Sequence, residues 1–487
     1  MTFNHKLIAR TVSVILGIEG IAMILSLGTA VYDGDRKAAI GFTISTGILL
    51  ALALIGRAFS TGFHVKMKAR ESYFIVLICW VTMIIGGTLP YLLAGSGYGV
   101  VDSIFESVAS WTTSSAWVLD VNTMPRALVL WKATSNWLGG MGIIILTILV
   151  FSALGVNAQK LAGAELRGAE IEKHTARMAD TVKVLYLLYI GVSAVELVLL
   201  LLGGVPKFPA LINAMSTMST AGIIDYKYAV ATHFTPFVKV VLVVFSVLSS
   251  LNFVFYLKIA KRRFKEAIQD FELRIFLGII VGATVFSSVV LLIYGRYDNY
   301  FDALVNAATG VVSFSCTTGF PLEHVESWPS VLRFLMVILM LIGGCAYSTS
   351  GGIKVVRFTV FIKMIGRGIY KRIHPRAVKP IMIGDVPVST INASSVSTYI
   401  LLFLGLYVVS AIILSLENFD METTLTAPVA LMTNCGVGFG SVSGAGYHMF
   451  SSPGKLYCAF LMVMGRLEMY ALLILFSPSF WSPDRTH

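Results

Sequence analysis

Four short polar runs break an otherwise apolar chain at intervals of roughly a hundred residues. They are Thr112-Thr113-Ser114-Ser115, Ser219-Thr220-Ala221-Gly222, Cys316-Thr317-Thr318-Gly319 and Thr433-Asn434-Cys435-Gly436. The chemistry these residue types offer is that of backbone carbonyl oxygen. Non-helical backbone at membrane depth is tolerated only where it is buried in protein or lines a water-filled cavity. Four such turns meeting on one axis stack their carbonyls into rings that replace the hydration shell of a monovalent cation. Glycine reaches positive φ without steric cost, which is the expected role of Gly222, Gly319 and Gly436. Thr113, Thr220 and Thr317 suit an extended wall, and Asn434 takes that place in the fourth run, ahead of Gly436-Val437-Gly438-Phe439-Gly440. The expected ion-binding set is therefore Thr112, Thr113, Ser114, Ser115, Thr220, Ala221, Gly222, Thr317, Thr318, Gly319, Asn434, Cys435 and Gly436.

Elements that hold such turns must be membrane spans. Of 487 residues, 56% are hydrophobic and 13% charged, about half the charge of a soluble domain. A span needs about 20 apolar residues, and the candidates are 7–32, 38–56, 72–95, 128–155, 182–203, 235–257, 275–294, 331–361 (interrupted), 396–416 and 456–476. The reading is an all-α polytopic membrane protein: a two-helix hairpin at 1–70, then four tandem span, pore-loop, span repeats around a central pore. The repeats fall at 71–160, 161–271, 272–394 and 395–487. Short half-helices are expected at Asp102–Trp111, Leu211–Met218, Asp302–Phe314 and Glu422–Met432, each aiming the partial negative charge of its C-terminus at the axis. The first segment has full spanning length and lacks the short apolar core and cleavage site of a signal peptide.

The net charge of +11 is distributed as topology demands, not as a nucleic-acid surface. Basic clusters fall in alternate loops: Arg57, Lys66, Lys68 and Arg70; Lys160, Arg167, Lys173 and Arg177; Lys258–Lys265; and Lys363–Lys379. The positive-inside rule puts these loops and the amino terminus in the cytoplasm. The pore loops then open outward beside Asp102, Glu106, Asp298, Asp302, Glu323, Glu326 and Glu422, an acidic mouth or simply solvated loop charge. Cys79, Cys316, Cys345, Cys435 and Cys458 have no CxxC or metal-ligand spacing and read as packing residues.

Specific motifs accompany the pore turns. Trp137-Leu138-Gly139-Gly140-Met141-Gly142-Ile143 follows the first loop, the small-residue run Ile342–Lys354 interrupts the third return, and Met464-Gly465-Arg466-Leu467-Glu468 lies in the last span. With the T-x-G turns, these make the chain similar over essentially its whole length to the Trk/Ktr/HKT superfamily of potassium transporters, particularly its bacterial TrkH/TrkG membrane subunits. The resemblance implies a potassium-uptake subunit of the bacterial inner membrane, a homodimer. It also implies a cytoplasmic nucleotide-binding regulatory partner, since this chain carries neither a G-x-G-x-x-G unit nor a Walker A sequence. K⁺, Na⁺ or both are the transported ions, and no organic cofactor is expected on this chain. Ser115 stands where bacterial members carry the filter glycine, and plant HKT members with serine there are similar to sodium transporters. A serine in left-handed geometry would cost about 1–2 kcal/mol, so the expectation is a strained or re-aimed turn with substantial Na⁺ permeability.

By the same resemblance, Gly343, Gly344, Tyr347, Ser348, Thr349, Gly351 and Gly352 form an intramembrane gate beneath the filter, with the Tyr347 ring in the path. Arg466 faces the cavity below as a fixed positive charge. The alternatives are a small-residue helix contact and a buried structural ion pair. Glu468 is expected to pair with another span, Lys132 to snorkel to an interface, Glu196 to bond between spans, and Lys354 and Arg357 to terminate the third return. A competing function is an H⁺- or Na⁺-coupled symporter using Glu196. An enzyme is not expected, since neither H-E-x-x-H, nor G-x-S-x-G, nor an intramembrane carboxylate pair appears.

Overall fold

The computed structural model describes residues 5–60, 69–95, 97–142, 175–223, 235–320, 325–384, 386–469, 472–474 and 477–481. Six described helices are long and apolar enough to cross a bilayer: His5–Tyr32, Arg36–Phe59, Tyr73–Ala94, Lys183–Leu202, Phe271–Ile293 and Thr390–Ser415. The first two form a hairpin whose turn is closed by the Asp35 side chain accepting from Ala38 N (3.0 Å). The other four follow it in the chain. After each comes a short helix buried on nearly every side: Val100–Trp111, Lys207–Met218, Tyr300–Ser315 and Met421–Met432. The long helices instead expose large apolar side chains, among them Ile21, Leu54, Leu187, Val281, Leu401 and Ile412. A stripe of this kind on a helix of spanning length is a lipid-facing surface.

The returning segments are shorter or broken. The first is described only over 126–142, so the rest of the expected 128–155 span lies outside the described residues, as do Lys66, Lys68, Lys160, Arg167, Lys173 and Glu323. The second, expected as one span over 235–257, is two helices, Pro236–Ser249 and Phe253–Ala260, bent by 94°. Its break has partners that a straight helix would not leave free. Asn252 caps the second piece by accepting from Val254 N (2.9 Å), Ser250 O accepts from Cys345 N (3.0 Å), and Phe253 N donates to Tyr347 O (3.1 Å).

The third return runs Ser330–Ile342, breaks, and resumes at Val355–Ile373. Lys354 therefore caps the start of the second half, and Arg357 lies in its first turn; neither terminates the helix. The fourth helix, Ser452–Arg466, stops short of the expected 476 because Glu468 and Met469 adopt left-handed backbone (φ 53° and 51°). A two-stranded antiparallel hairpin, Ile381–Ile383 with Val386–Val388, follows the third return. It is a small addition to an all-α fold, tied down by Lys363 Nζ donating to Met382 O (2.7 Å).

Candidate permeation pathway

Each buried half-helix ends in the same way. Its cap residue, Thr112, Ser219, Cys316 or Thr433, is followed by a left-handed residue: Thr113 (φ 56°), Thr220 (57°), Thr317 (53°) and Asn434 (54°). The three threonines are thus not in the extended wall that their residue type led us to expect. A helix that must stop and reverse needs αL geometry just after its cap. Three β-branched residues in that region are outliers of the kind that the surrounding structure has to enforce.

Beyond that shared residue the turns divide into two pairs. Ser114 N bonds Ala109 O (2.8 Å) and Ala221 N bonds Ser216 O (2.8 Å), a closure spanning five residues. In the other pair Gly319 N reaches Ser313 O (3.1 Å) and Gly436 N reaches Ala430 O (2.9 Å), spanning six. The wider closure requires a second left-handed residue, and Gly319 (φ 58°) and Gly436 (φ 79°) supply it. Ser115 and Gly222 share the tighter turn without positive φ, so the strain expected at Ser115 does not arise. Gly222 is needed for space: a Cβ there would lie 2.7 Å from Phe320 N.

The four turns touch one another. Ser115 Oγ donates to Thr318 O (2.7 Å) and accepts from Gly222 N (2.7 Å). A Cβ on Gly319 would meet Ser115 Oγ at 2.7 Å, and one on Gly436 would meet Ser115 N at 2.6 Å. A cavity of 160 Å³ is lined by Ser115, Gly222, Gly319 and Gly436 together with Trp117, Asp120 and Lys132. Glu106 and Lys132 form a buried ion pair at its side (2.5 Å). Lys132 therefore does not snorkel, and Glu106 is not a solvated mouth residue. Asp102 is likewise held by Lys455 (2.7 Å) and Glu422 by Arg333 (2.6 Å), whereas Asp298, Asp302 and Glu326 are exposed.

Residues 343–354 pack against the same turns. Gly351 N donates to Thr317 Oγ1 (2.7 Å), and a Cβ on Gly351 would run into the Thr433 carbonyl. Thr349 Oγ1 reaches Ser249 O (3.0 Å) and Met218 O (3.3 Å). Arg466, 3% exposed, donates to Thr349 O (2.7 Å) and to Gly139 O (3.0 Å). The segment has its own closures as well: Ser348 bonds Cys345 O (2.6 Å) and Ser350 Oγ (3.0 Å), and Lys354 Nζ donates to Ser350 O. Tyr347 and Lys354 are left-handed (φ 54° and 81°), with Gly343 (70°) and Gly352 (81°) at the two ends.

A broken segment packed against the turns of four half-helices is an architecture with relatives. The profile of the TrkH family, described as cation transport protein, matches residues 41–483. The chain belongs to the TrkH family. It is similar to the Trk system potassium uptake protein TrkH of Salmonella typhimurium, 29% identical over 474 residues, 95% of this chain and 98% of that one. It is also similar to the potassium uptake protein TrkG of Escherichia coli K12, 29% identical over 421 residues and 86% of each chain. The crystal structure of the potassium transporter TrkH from Vibrio parahaemolyticus matches with a TM-score of 0.89 and 27% identity, covering 99% of this chain and 100% of that one. As a TrkH-family member this is a multi-pass transport protein and not an enzyme.

Within that TrkH frame, two carboxyl groups had no place in the sequence reading. Glu272, at the start of the third outgoing helix, accepts from Ala346 N (2.6 Å) and so anchors the intramembrane segment. Glu19, in the first span, is fully buried, and neither carboxyl oxygen has a partner among the described residues. The available signal was an ionisable residue inside a span. The same rule did single out Glu196, which is fully buried beside a Thr217 hydroxyl already spent on Asn213 O (2.8 Å). Glu468 bonds Arg357 of the third return (2.7 Å).

Proposed function

We propose that this chain is a potassium-uptake subunit of channel type. Its ion path runs through the filter made by residues 112–115, 220–222, 317–319 and 434–436, and residues 343–352 with Arg466 form the gate. The observation that carries this reading is the shared left-handed turn at Thr113, Thr220, Thr317 and Asn434, which ends four buried half-helices at one place. Relatives named as potassium uptake proteins support K⁺ as the cargo. A four-fold division into repeats at 71–160, 161–271, 272–394 and 395–487 behind an N-terminal hairpin fits the same reading. So do a cytoplasmic amino terminus in a bacterial inner membrane, a homodimer and a cytoplasmic nucleotide-binding partner docking on the basic inner loops.

The Ser115 hydroxyl spends part of the Thr318 carbonyl's acceptor capacity on a protein hydrogen bond. That carbonyl is then a weaker ligand for a dehydrated K⁺, and the ring of four is unequal. We expect substantial Na⁺ permeability as a result. The test is the reversal potential of the purified chain in planar bilayers under bi-ionic K⁺/Na⁺ conditions.

A second reading, H⁺- or Na⁺-coupled symport, is favoured by Glu196, a buried carboxyl with no hydrogen-bond partner among the described residues. Intramembrane acids of this kind mark ion and proton relays. Loss of uptake in Glu196→Gln would favour symport, whereas ohmic current reversing at the Nernst potential would favour the channel.

A further inference from the structure

The four half-helices differ sharply at one register. Six residues before each terminal cap stand Glu106, Asn213, Gly310 and Ala427. Glu106 is the one acidic residue among them, and its carboxylate is fully used. Oε1 accepts from Val118 N (2.6 Å) and Leu119 N (2.8 Å), and Oε2 from Lys132 Nζ (2.5 Å). These N–H groups belong to the stretch that carries the chain away from the first filter turn. The fourth unit holds the matching stretch with a neutral acceptor: Phe439 N donates to Thr426 Oγ1 (2.9 Å). Bracing the stretch therefore needs no charge. Nor does stability explain the pair, because a buried ion pair is commonly no more stabilising than apolar residues of the same volume. The two side chains are 0% and 2% exposed, yet Lys132 lines the cavity at the filter mouth with Ser115, Gly222, Gly319 and Gly436.

We propose that the Glu106–Lys132 pair is a specificity-determining element of the outer mouth, one that holds the wall beside the first loop electroneutral so that divalent cations gain no foothold there. Lys132 supplies the compensating charge, and Glu106 positions both the lysine and the outward stretch. This rests on the permeation reading above. A fixed charge acts on a divalent ion with twice the energy it exerts on a monovalent one, so unbalancing the pair changes divalent block more than K⁺ conduction.

The test is block of K⁺ current by external MgCl₂, with the full chain in planar bilayers. Lys132→Met leaves the carboxylate uncompensated, and Mg²⁺ should block at about tenfold lower concentration. Glu106→Gln leaves the ammonium uncompensated while its amide oxygen still accepts from the backbone, so Mg²⁺ should block more weakly than in the natural chain. The double variant Glu106→Gln with Lys132→Met is neutral again and should return block toward the natural value, and Lys132→Arg should preserve it. Opposite shifts in the two single variants, cancelled in the double, are something that loss of folding cannot produce. Shifts of the same sign, or none, overturn the inference while leaving the permeation reading intact. Absence of K⁺ current in the natural chain would overturn that reading itself, and the inference with it.

Discussion

The hydroxyl of Ser115 donates to the main-chain oxygen of Thr318, 2.7 Å away and two units along the chain. Ser115 Oγ itself accepts from Gly222 N (2.7 Å), so one side chain links three of the four turns. Removing it frees the Thr318 carbonyl. Ser115→Gly should move the bi-ionic reversal potential toward K⁺ selectivity, and Ser115→Ala should move it in the same direction by less. Equal and strong K⁺ selectivity in the natural chain and in Ser115→Gly would rule out the sodium hypothesis.

Arg466 holds the intramembrane segment through Thr349 O and ties it to Gly139 O. A hydrogen bond to a charged group contributes about 1.5–3 kcal/mol, which is roughly tenfold or more in an open–closed equilibrium. Arg466→Gln should raise open probability by at least that factor without partner protein. Single-channel recording of the isolated chain measures it, and an unchanged open probability would show that Arg466 is a packing residue only.

Gly351 has no room for a side chain, because a Cβ would meet the Thr433 carbonyl. Gly351→Ala should prevent the segment from seating and leave the pore conducting at rest. Gly366→Ala, where a Cβ meets nothing within 4 Å, serves as the control and should behave as the natural chain does. Cation flux into proteoliposomes distinguishes them.

At the start of the fourth half-helix, Asp420 caps the helix by accepting from Thr423 N (2.9 Å) and Thr423 Oγ1 (2.6 Å) and also accepts from Ser441 Oγ (2.8 Å). The Thr423 hydroxyl first, then these other hydrogen bonds, hold its carboxyl down to about 2. A depressed carboxyl stabilises the fold above its unfolded value of 3.8 and loses that contribution as pH falls toward 2. Thermal unfolding in detergent should therefore show a fall in Tm between about pH 4 and pH 2 that is smaller in Asp420→Asn.

Much of this architecture could be read from residue patterns. The half-helices begin within four residues of their expected starts and end within one of their expected ends, because an apolar run closed by a Thr/Ser/Gly turn has few other conformations. The break near 343–352 was legible from its small residues. What the pattern could not give was the 94° bend at Ser250–Asn252, since its cause is the distant Cys345 and Tyr347 backbone. The backbone geometry of Ser115 was equally hidden. Whether the residue needs positive φ depends on whether its turn closes over five residues or six, and the Thr/Ser-rich sequences of the turns do not announce which. Lys132 read as an interfacial lysine because its partner, Glu106, is 26 positions away.

The most direct test of the central claim is the current carried by the purified chain in a planar bilayer under a K⁺ gradient in Na⁺-free solutions at symmetrical pH. A pore through the four turns predicts ohmic current that reverses at the K⁺ equilibrium potential and is unmoved by an added pH gradient. A reversal potential that shifts in fixed stoichiometry with the pH gradient, and vanishes in Glu196→Gln, would contradict it and make the chain a coupled symporter.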